Sequence, residues 1–267
     1  MKKTSPKVFK IAETRIIEEG MKDWLKHLGG ESWLDHAEGS DTEKLVEAAG
    51  RRCYLSFKEG LNANVTKVRK LSSDYHTNVL TVGHGSVLEH ACVTFAFEGV
   101  SRVFTHELVR HRAGCAMSQE SLRFVRLTDL GFWVPGIIQE YGEETALKAV
   151  EIFEKTIGNL ENVQHELTEL FGIEKEGMPF AEKKKLTSMF RRLAPIGLST
   201  GIVFTANLRA WRHILEMRCS AAAEEEIQMA MIEVAKILQR DYPMIFGDFY
   251  EAEENGTLVM KPEFSKV

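Results

Sequence analysis

Apolar positions in this chain change their period several times, and each change predicts an element. Residues 8–17 read as a short strand that passes into an acidic helix. Gly29-Gly30-Glu31-Ser32 interrupts that region, and Asp41 or Thr42 is placed to cap a helix carrying Leu45, Val46 and Ala49. Gly83-His84-Gly85-Ser86 marks a turn between a helical stretch and residues 91–97. There Val93, Phe95 and Phe97 alternate with smaller or polar residues, which predicts a strand with one buried face. Near Ser101 the period lengthens. Val100, Val103, Phe104 and Leu108 fall at helical spacing, predicting a helix whose C-terminal end carries Arg110-His111-Arg112. On such a helix His106 and Arg110 share a face, as do Glu107 and His111.

Helical spacing dominates the second half. Residues 145–170 form a long amphipathic pattern, 172–179 a break, and 181–193 a further helix ended by Pro195. Two more helices are predicted over 204–217 and 222–238. In the last, Ile227, Met231, Val234 and Leu238 make one stripe suited to core or subunit contact. The stretch Asn207-Leu208-Arg209-Ala210-Trp211-Arg212-His213 buries Leu208, Trp211 and Leu215 and leaves Arg209 and His213 one turn apart on another face, either as a solvated surface or as part of a cationic pocket. No repeat, low-complexity tract or linker divides the chain, so a single domain spanning 1–267 is expected.

Composition narrows the function classes. The chain has 267 residues, 44% hydrophobic and 27% charged, with a formal net charge of −5, so any positive patch is local and a nucleic-acid-coating surface is disfavoured. No stretch has the length and apolarity of a membrane span or the pattern of a signal peptide, so no membrane partner and a reducing cytoplasm are expected. The four cysteines, Cys53, Cys92, Cys115 and Cys219, include no C-x-x-C pair, which speaks against a structural zinc or redox motif. Cys53 and Cys92 are expected to be small buried residues.

The densest chemistry lies at Arg110-His111-Arg112 and the following Ser118-Gln119-Glu120-Ser121-Leu122-Arg123. Guanidiniums offer planar forks matched to phosphate oxygens, and hydroxyls add donors, so the set suits a phosphate-bearing ligand. A solvated basic helix end is the alternative reading. His106-Glu107 with His111 is spaced H-E-x-x-x-H, which turns the second imidazole away from the face a helical zinc pair needs. Neither a G-x-G-x-x-G fingerprint nor a P-loop is present, so any dinucleotide is bound by arginines and helix ends.

Read together, Gly83-His84-Gly85-Ser86-Val87-Leu88-Glu89-His90, Ser101-Arg102, Arg110-His111-Arg112, Ser121-x-Arg123, Arg191-Arg192-Leu193-Ala194-Pro195, Asn207-Leu208-Arg209, Arg218 and Glu226-Ile227 resemble the flavin-dependent thymidylate synthases, the ThyX family, over about residues 48–250. The resemblance implies an α/β (mixed α+β) fold, with long helices packed on a small, mainly antiparallel sheet. It also implies reductive C5 methylation of dUMP to dTMP, with carbon from 5,10-methylenetetrahydrofolate and reducing equivalents from NADPH through bound FAD, and no cysteine nucleophile. His84, Ser86, Arg110, His111, Arg112, Gln119, Asn207, Arg209 and His213 would serve FAD. Glu107, Arg110, Gln119, Glu120, Ser121, Leu122, Arg123, Arg191 and Arg218 would serve dUMP, Ser121 and Arg123 on its phosphate and Arg218 as the catalytic charge facing the uracil. A homotetramer with sites shared between subunits is implied as well.

The chain departs from the family pattern in three ways. Residues 113–120 make the gap after Arg-His-Arg one residue longer, Glu107 stands where Gln is common, and Leu122 and the block 222–227 differ in type. The alternative is a ThyX-like paralogue modifying C5 of UMP or another uridine nucleotide.

Overall fold

The computed structural model describes residues 2–122 and 130–267. Its strands are β1 (Lys2–Lys3), β2 (Lys7–Glu13), β3 (Cys92–Ser101), β4 (Cys115–Gln119), β5 (Gly131–Phe132), β6 (Ser199–Asn207), β7 (Phe249–Glu254) and β8 (Thr257–Pro262). Its helices are α1 (Glu18–Leu28), α2 (Asp41–Tyr54), α3 (Ser72–Thr81), α4 (Arg102–Leu108), α5 (Glu143–Leu170), α6 (Phe180–Phe190), α7 (Leu208–Arg218), α8 (Glu225–Asp241) and α9 (Pro243–Phe246). This is the mixed fold that the resemblance implies. Strands β2-β3-β6-β4 pair in that order, β1 pairs with β5 in parallel, and β7-β8 is an antiparallel hairpin.

The chain divides into two compact units built from interleaved segments. The larger comprises Val8–Phe95, His111–Ala116 and Phe204–Val267; the smaller comprises Met1–Lys7, Ala96–Arg110 and Met117–Val203. One passage between them falls inside the Arg-His-Arg tripeptide, between Arg110 and His111.

In the larger unit, period-two and period-3.6 apolar patterns meet around Trp211. Its ring lies 5.2 Å from Phe95 and 5.5 Å from Phe204, edge to face, and its indole N–H donates to the Val93 carbonyl at 3.0 Å. Leu208, Ile214 and Leu215 on α7 and Ile227, Met231, Val234 and Leu238 on α8 are fully buried, so the α8 stripe is core within the chain. Leu25, Trp33, Ala48 and Phe57 form a second cluster under α1 and α2. In the smaller unit, Leu130, Phe132, Ile157 and Leu198 make the core beneath α5.

Four local expectations are corrected. The cap of α2 is Ser40, which accepts from Glu43 N–H at 3.2 Å while the Glu43 carboxylate accepts from Ser40 N–H at 2.8 Å, a reciprocal capping box one residue before Asp41. Residues 204–207 end strand β6 instead of beginning a helix. Thr200, Ile202, Phe204 and Ala206 are buried at every second position, and helix starts only after Asn207. Helix α4 closes at Leu108, with Val109 N–H on the Thr105 carbonyl and Arg110 N–H on the Glu107 carbonyl, so Arg110 and His111 lie beyond the helix that was expected to carry them. Arg110-His111-Arg112 instead lies in the connection to β4. Cys53 is exposed and Cys92 half-buried; the fully buried cysteine is Cys219.

Candidate active site

In the larger unit, α7 is the organising element. Asn207 caps it, its Oδ1 accepting from Ala210 N–H at 2.8 Å, and its own N–H donates to the Gly114 carbonyl at 2.9 Å. Gly114 has a φ of +70°, and a Cβ there would run into the Asn207 side chain, so this turn requires glycine. The contact sets the course of the chain just after His111 and Arg112.

His111 is buried and meets two residues of α7. Arg218 Nε donates to His111 Nε2 at 3.0 Å, and the His213 ring stands 5.8 Å from the His111 ring at 75°. An Nε2 that accepts carries its lone pair there, which leaves the imidazole proton on Nδ1. His84, Ser86, Arg112, Arg209 and His213 are exposed. Arg209 donates through Nη1 to Glu89 Oε1 at 2.6 Å and through Nε to the Val267 carbonyl at 3.3 Å.

The smaller unit holds a cavity of about 500 Å³ lined by Arg102, Gln119, Glu120, Ser121, Leu122, Ser188, Arg191 and Arg192. Its wall is anchored on both sides. Gln119 Nε2 donates to Thr105 Oγ1 at 2.9 Å, and Thr105 Oγ1 donates to the Arg102 carbonyl at 3.2 Å. Glu120 grips β6 twice, its N–H on the Gly201 carbonyl at 3.1 Å and its carboxylate accepting from Gly201 N–H and Thr200 Oγ1 at 3.2 and 3.3 Å. Its charge is thus committed to orienting the segment.

Arg102 enters from the start of α4, which Ser101 caps by accepting from Phe104 N–H at 3.2 Å. Its Nη2 donates to the Glu120 carbonyl at 2.9 Å, while its Nε is buried with no partner among the described residues. Burial lowers the Arg102 pKa below its ordinary value, Arg191 adds to the shift, and Glu120 opposes it. An arginine in this position is poised for an anion.

The two groups of predicted site residues segregate. Of the flavin group, all but Arg110 and Gln119 belong to the larger unit. Of the nucleotide group's described residues, all but Arg218 belong to the smaller. The cavity brings together Gln119, Glu120, Ser121, Leu122 and Arg191, whereas Glu107 and Arg110 do not line it, and Arg123 lies outside the described residues. Arg102, Arg192 and Ser188 were not assigned a role from sequence. Both arginines sit in the motif blocks named above, and for Arg192 the further signal was its place beside Arg191. A larger cavity, about 780 Å³ beside Trp33, Arg51 and Phe57, contains none of the predicted site residues.

Burial pushes the Cys115 thiol up to about 11, with a smaller contribution from Cys92, and pushes Cys219 up to about 12. Thiols held protonated in this way are poor nucleophiles.

The model of the family described as "Thymidylate synthase complementing protein" matches residues 34–244. The flavin-dependent thymidylate synthase of Corynebacterium efficiens is 35% identical over 220 residues, covering 82% of this chain and 83% of that protein. That of Mycobacteroides abscessus is 36% identical over 227 residues, covering 81% and 82%. This chain belongs to the flavin-dependent thymidylate synthase family.

Two solved structures share the family fold. The UMP/dUMP methylase PolB of Streptomyces cacaoi, bound with 5-Br dUMP, superposes with a TM-score of 0.61 at 16% identity, covering 92% of this chain and 96% of that one. ThyX of Helicobacter pylori with FAD and dUMP gives 0.56 at 19% identity, covering 91% and 98%. No helix among the described residues of this family member is long and apolar enough to cross a membrane.

Proposed function

We propose that this protein is a flavin-dependent thymidylate synthase that methylates C5 of dUMP, with FAD as resident cofactor and 5,10-methylenetetrahydrofolate and NADPH as co-substrates. The observation that carries the reading is the anion-ready cavity of the smaller unit. Its buried Arg102 Nε has no partner among the described residues, and Ser121, Arg191 and Arg192 stand around the same space. A nucleotide monophosphate satisfies that donor set with charge-assisted hydrogen bonds. In this reading Ser121, Arg123, Arg191 and Arg102 hold the phosphate, with Gln119, Glu120 and Leu122 framing the nucleotide and Glu107 and Arg110 completing its surroundings.

The residues of the larger unit fit an anionic flavin dinucleotide. His84, Ser86, Arg112, Arg209 and His213 are exposed polar or cationic donors, and Asn207 and His111 sit among them on α7 and its adjoining turn. Bound FAD supplies the hydride that the methylation consumes. Arg218, steadied by His111, supplies positive charge for the pyrimidine, where it stabilises negative charge on the ring. No thiol is used.

We further propose that the whole chain acts as one domain and assembles as a homotetramer whose subunits share sites. The chain passes between its two units five times, so neither is a sequence-continuous module. Ile137, Leu147 and Ile152 are 51%, 59% and 67% exposed, large apolar groups available for burial by partners.

Incubating the purified protein with FAD, NADPH, methylenetetrahydrofolate and either dUMP or UMP tests the reading. dTMP forms from dUMP if it holds; exclusive modification of UMP assigns the chain to the alternative paralogue activity.

A further inference from the structure

The segment after β8 lies along α7. Phe264 N–H donates to Asp248 Oδ2 at 3.2 Å, and its carbonyl accepts from Arg212 Nη2 at 2.8 Å. The Ser265 hydroxyl donates to Glu216, and the Val267 carbonyl accepts from Arg209 Nε at 3.3 Å. Arg209, Arg212 and Glu216 are three and four residues apart, so the segment follows one ridge of the helix. At its tip Val267 packs over Gly85, the residue between His84 and Ser86. A Cβ on Gly85 would press on the Val267 backbone, 2.8 Å from its carbonyl oxygen, and come within 2.9 Å of Arg209 Nε. From the other side, Glu89 holds Arg209 Nη1 at 2.6 Å.

A cofactor that contacts His84, Ser86 and Arg209 together therefore meets occupied space. We propose that residues 263–267, with Glu89, form a displaceable strap over the cofactor-binding face of α7, which an anionic dinucleotide moves aside to reach Arg209. The proposal rests on the assignment of those three residues to FAD given above. The strap is firm at its root and weak at its tip. Arg212 and Asp248, which anchor Phe264, are 4% and 6% exposed, whereas Arg209 and Glu89 are 46% and 48% exposed, where water competes and an ion pair contributes little. A pyrophosphate offers Arg209 several acceptor oxygens matched to its planar fork, in place of two separate, exposed acceptors, so exchange favours the ligand.

Flavin-stripped protein, checked for native circular dichroism, is mixed with FAD, and quenching of flavin fluorescence gives the association rate and Kd. The comparison is between the natural chain, the E89Q/S265A variant and a K266G/V267G variant with a looser tip. Losing contacts that compete with the ligand speeds association and tightens Kd, each about three- to tenfold in either variant. Unchanged or weaker binding in both variants, with the natural chain still binding FAD, overturns the strap and leaves the flavin assignment standing. Failure of all three proteins to bind FAD overturns the flavin assignment itself.

Discussion

Arg218, at the end of α7, donates through Nε to His111 Nε2 at 3.0 Å, joining the two residues on which the proposed chemistry most depends. The imidazole lone pair accepts the Arg218 Nε–H and so helps fix the plane of the guanidinium. The Arg218→Ala variant is expected to lose on the order of 10²–10³ in turnover, the scale of removing one preorganised donor, while keeping its flavin absorbance. Arg218→Lys keeps the charge but not the Nε donor, so it should recover little. Turnover near the natural level in Arg218→Ala would remove the assigned role.

Arg102 predicts a different signature. Removing a charged donor from the proposed phosphate site weakens binding by about 1.5–3 kcal/mol, so Arg102→Ala should raise KM for dUMP about 10- to 100-fold. Titration calorimetry with dUMP should show the same loss in Kd, and FAD affinity should stay unchanged. A fall in kcat at constant KM would place Arg102 elsewhere.

The thiols give a pH test. With Cys115 pushed up to about 11, its thiolate appears only as pH approaches that value, so alkylation at pH 8 should run slower than for an ordinary exposed thiol and accelerate steeply in alkali. Cys115→Ala should keep turnover within about twofold, because a nucleophile needs an activating neighbour, and Cys115 has none among the described residues. Mass-resolved alkylation and steady-state assays check both.

Stability carries its own acid signature through Glu13 and Asp241. Tyr242 O–H donates to Glu13 Oε2 at 2.6 Å and Lys10 bonds Glu13 and Asp241 at 2.9 and 2.6 Å. The Tyr242 bond, with Lys10, lowers the Glu13 pKa; Arg240 and then Lys10 lower that of Asp241. Carboxyls depressed on folding contribute stability above their unfolded pKa of about 4 and lose it as pH falls through the folded values. Urea midpoints should therefore drop below about pH 4, and less steeply for Tyr242→Phe, which removes one of these bonds at a cost of about 1 kcal/mol near neutrality. Equal acid slopes for the two proteins would contradict the linkage.

Much of the fold was legible because strong periods survive folding. Val93, Phe95 and Phe97 alternate and are buried, and the α8 stripe from Ile227 to Leu238 packs as its spacing required. The errors have physical reasons. Phe204 and Ala206 supply apolar positions to strand and helix alike, and only the Asn207 cap, set by its bond to Gly114, decides where one becomes the other. The helical spacing of Val100, Val103, Phe104 and Leu108 points to a helix that carries Arg-His-Arg at its end, but α4 stops at Leu108 and the chain then enters β4. At the site, residue types betrayed the donors but not their partners. The pairing of Arg218 with His111, and of Glu120 with β6, depends on contacts from residues distant in sequence. Arg102 was visible as a motif residue yet gained a role only from its buried Nε, which has no partner among the described residues.

The most direct test of the account is a single turnover of the flavin-loaded protein with dUMP, NADPH and methylenetetrahydrofolate carrying a labelled methylene carbon, followed by mass analysis of the nucleotide. Labelled dTMP, formed as the flavin reoxidises, is the predicted result. A flavin-loaded protein that returns dUMP unchanged, or that labels only UMP when both are offered, would contradict it.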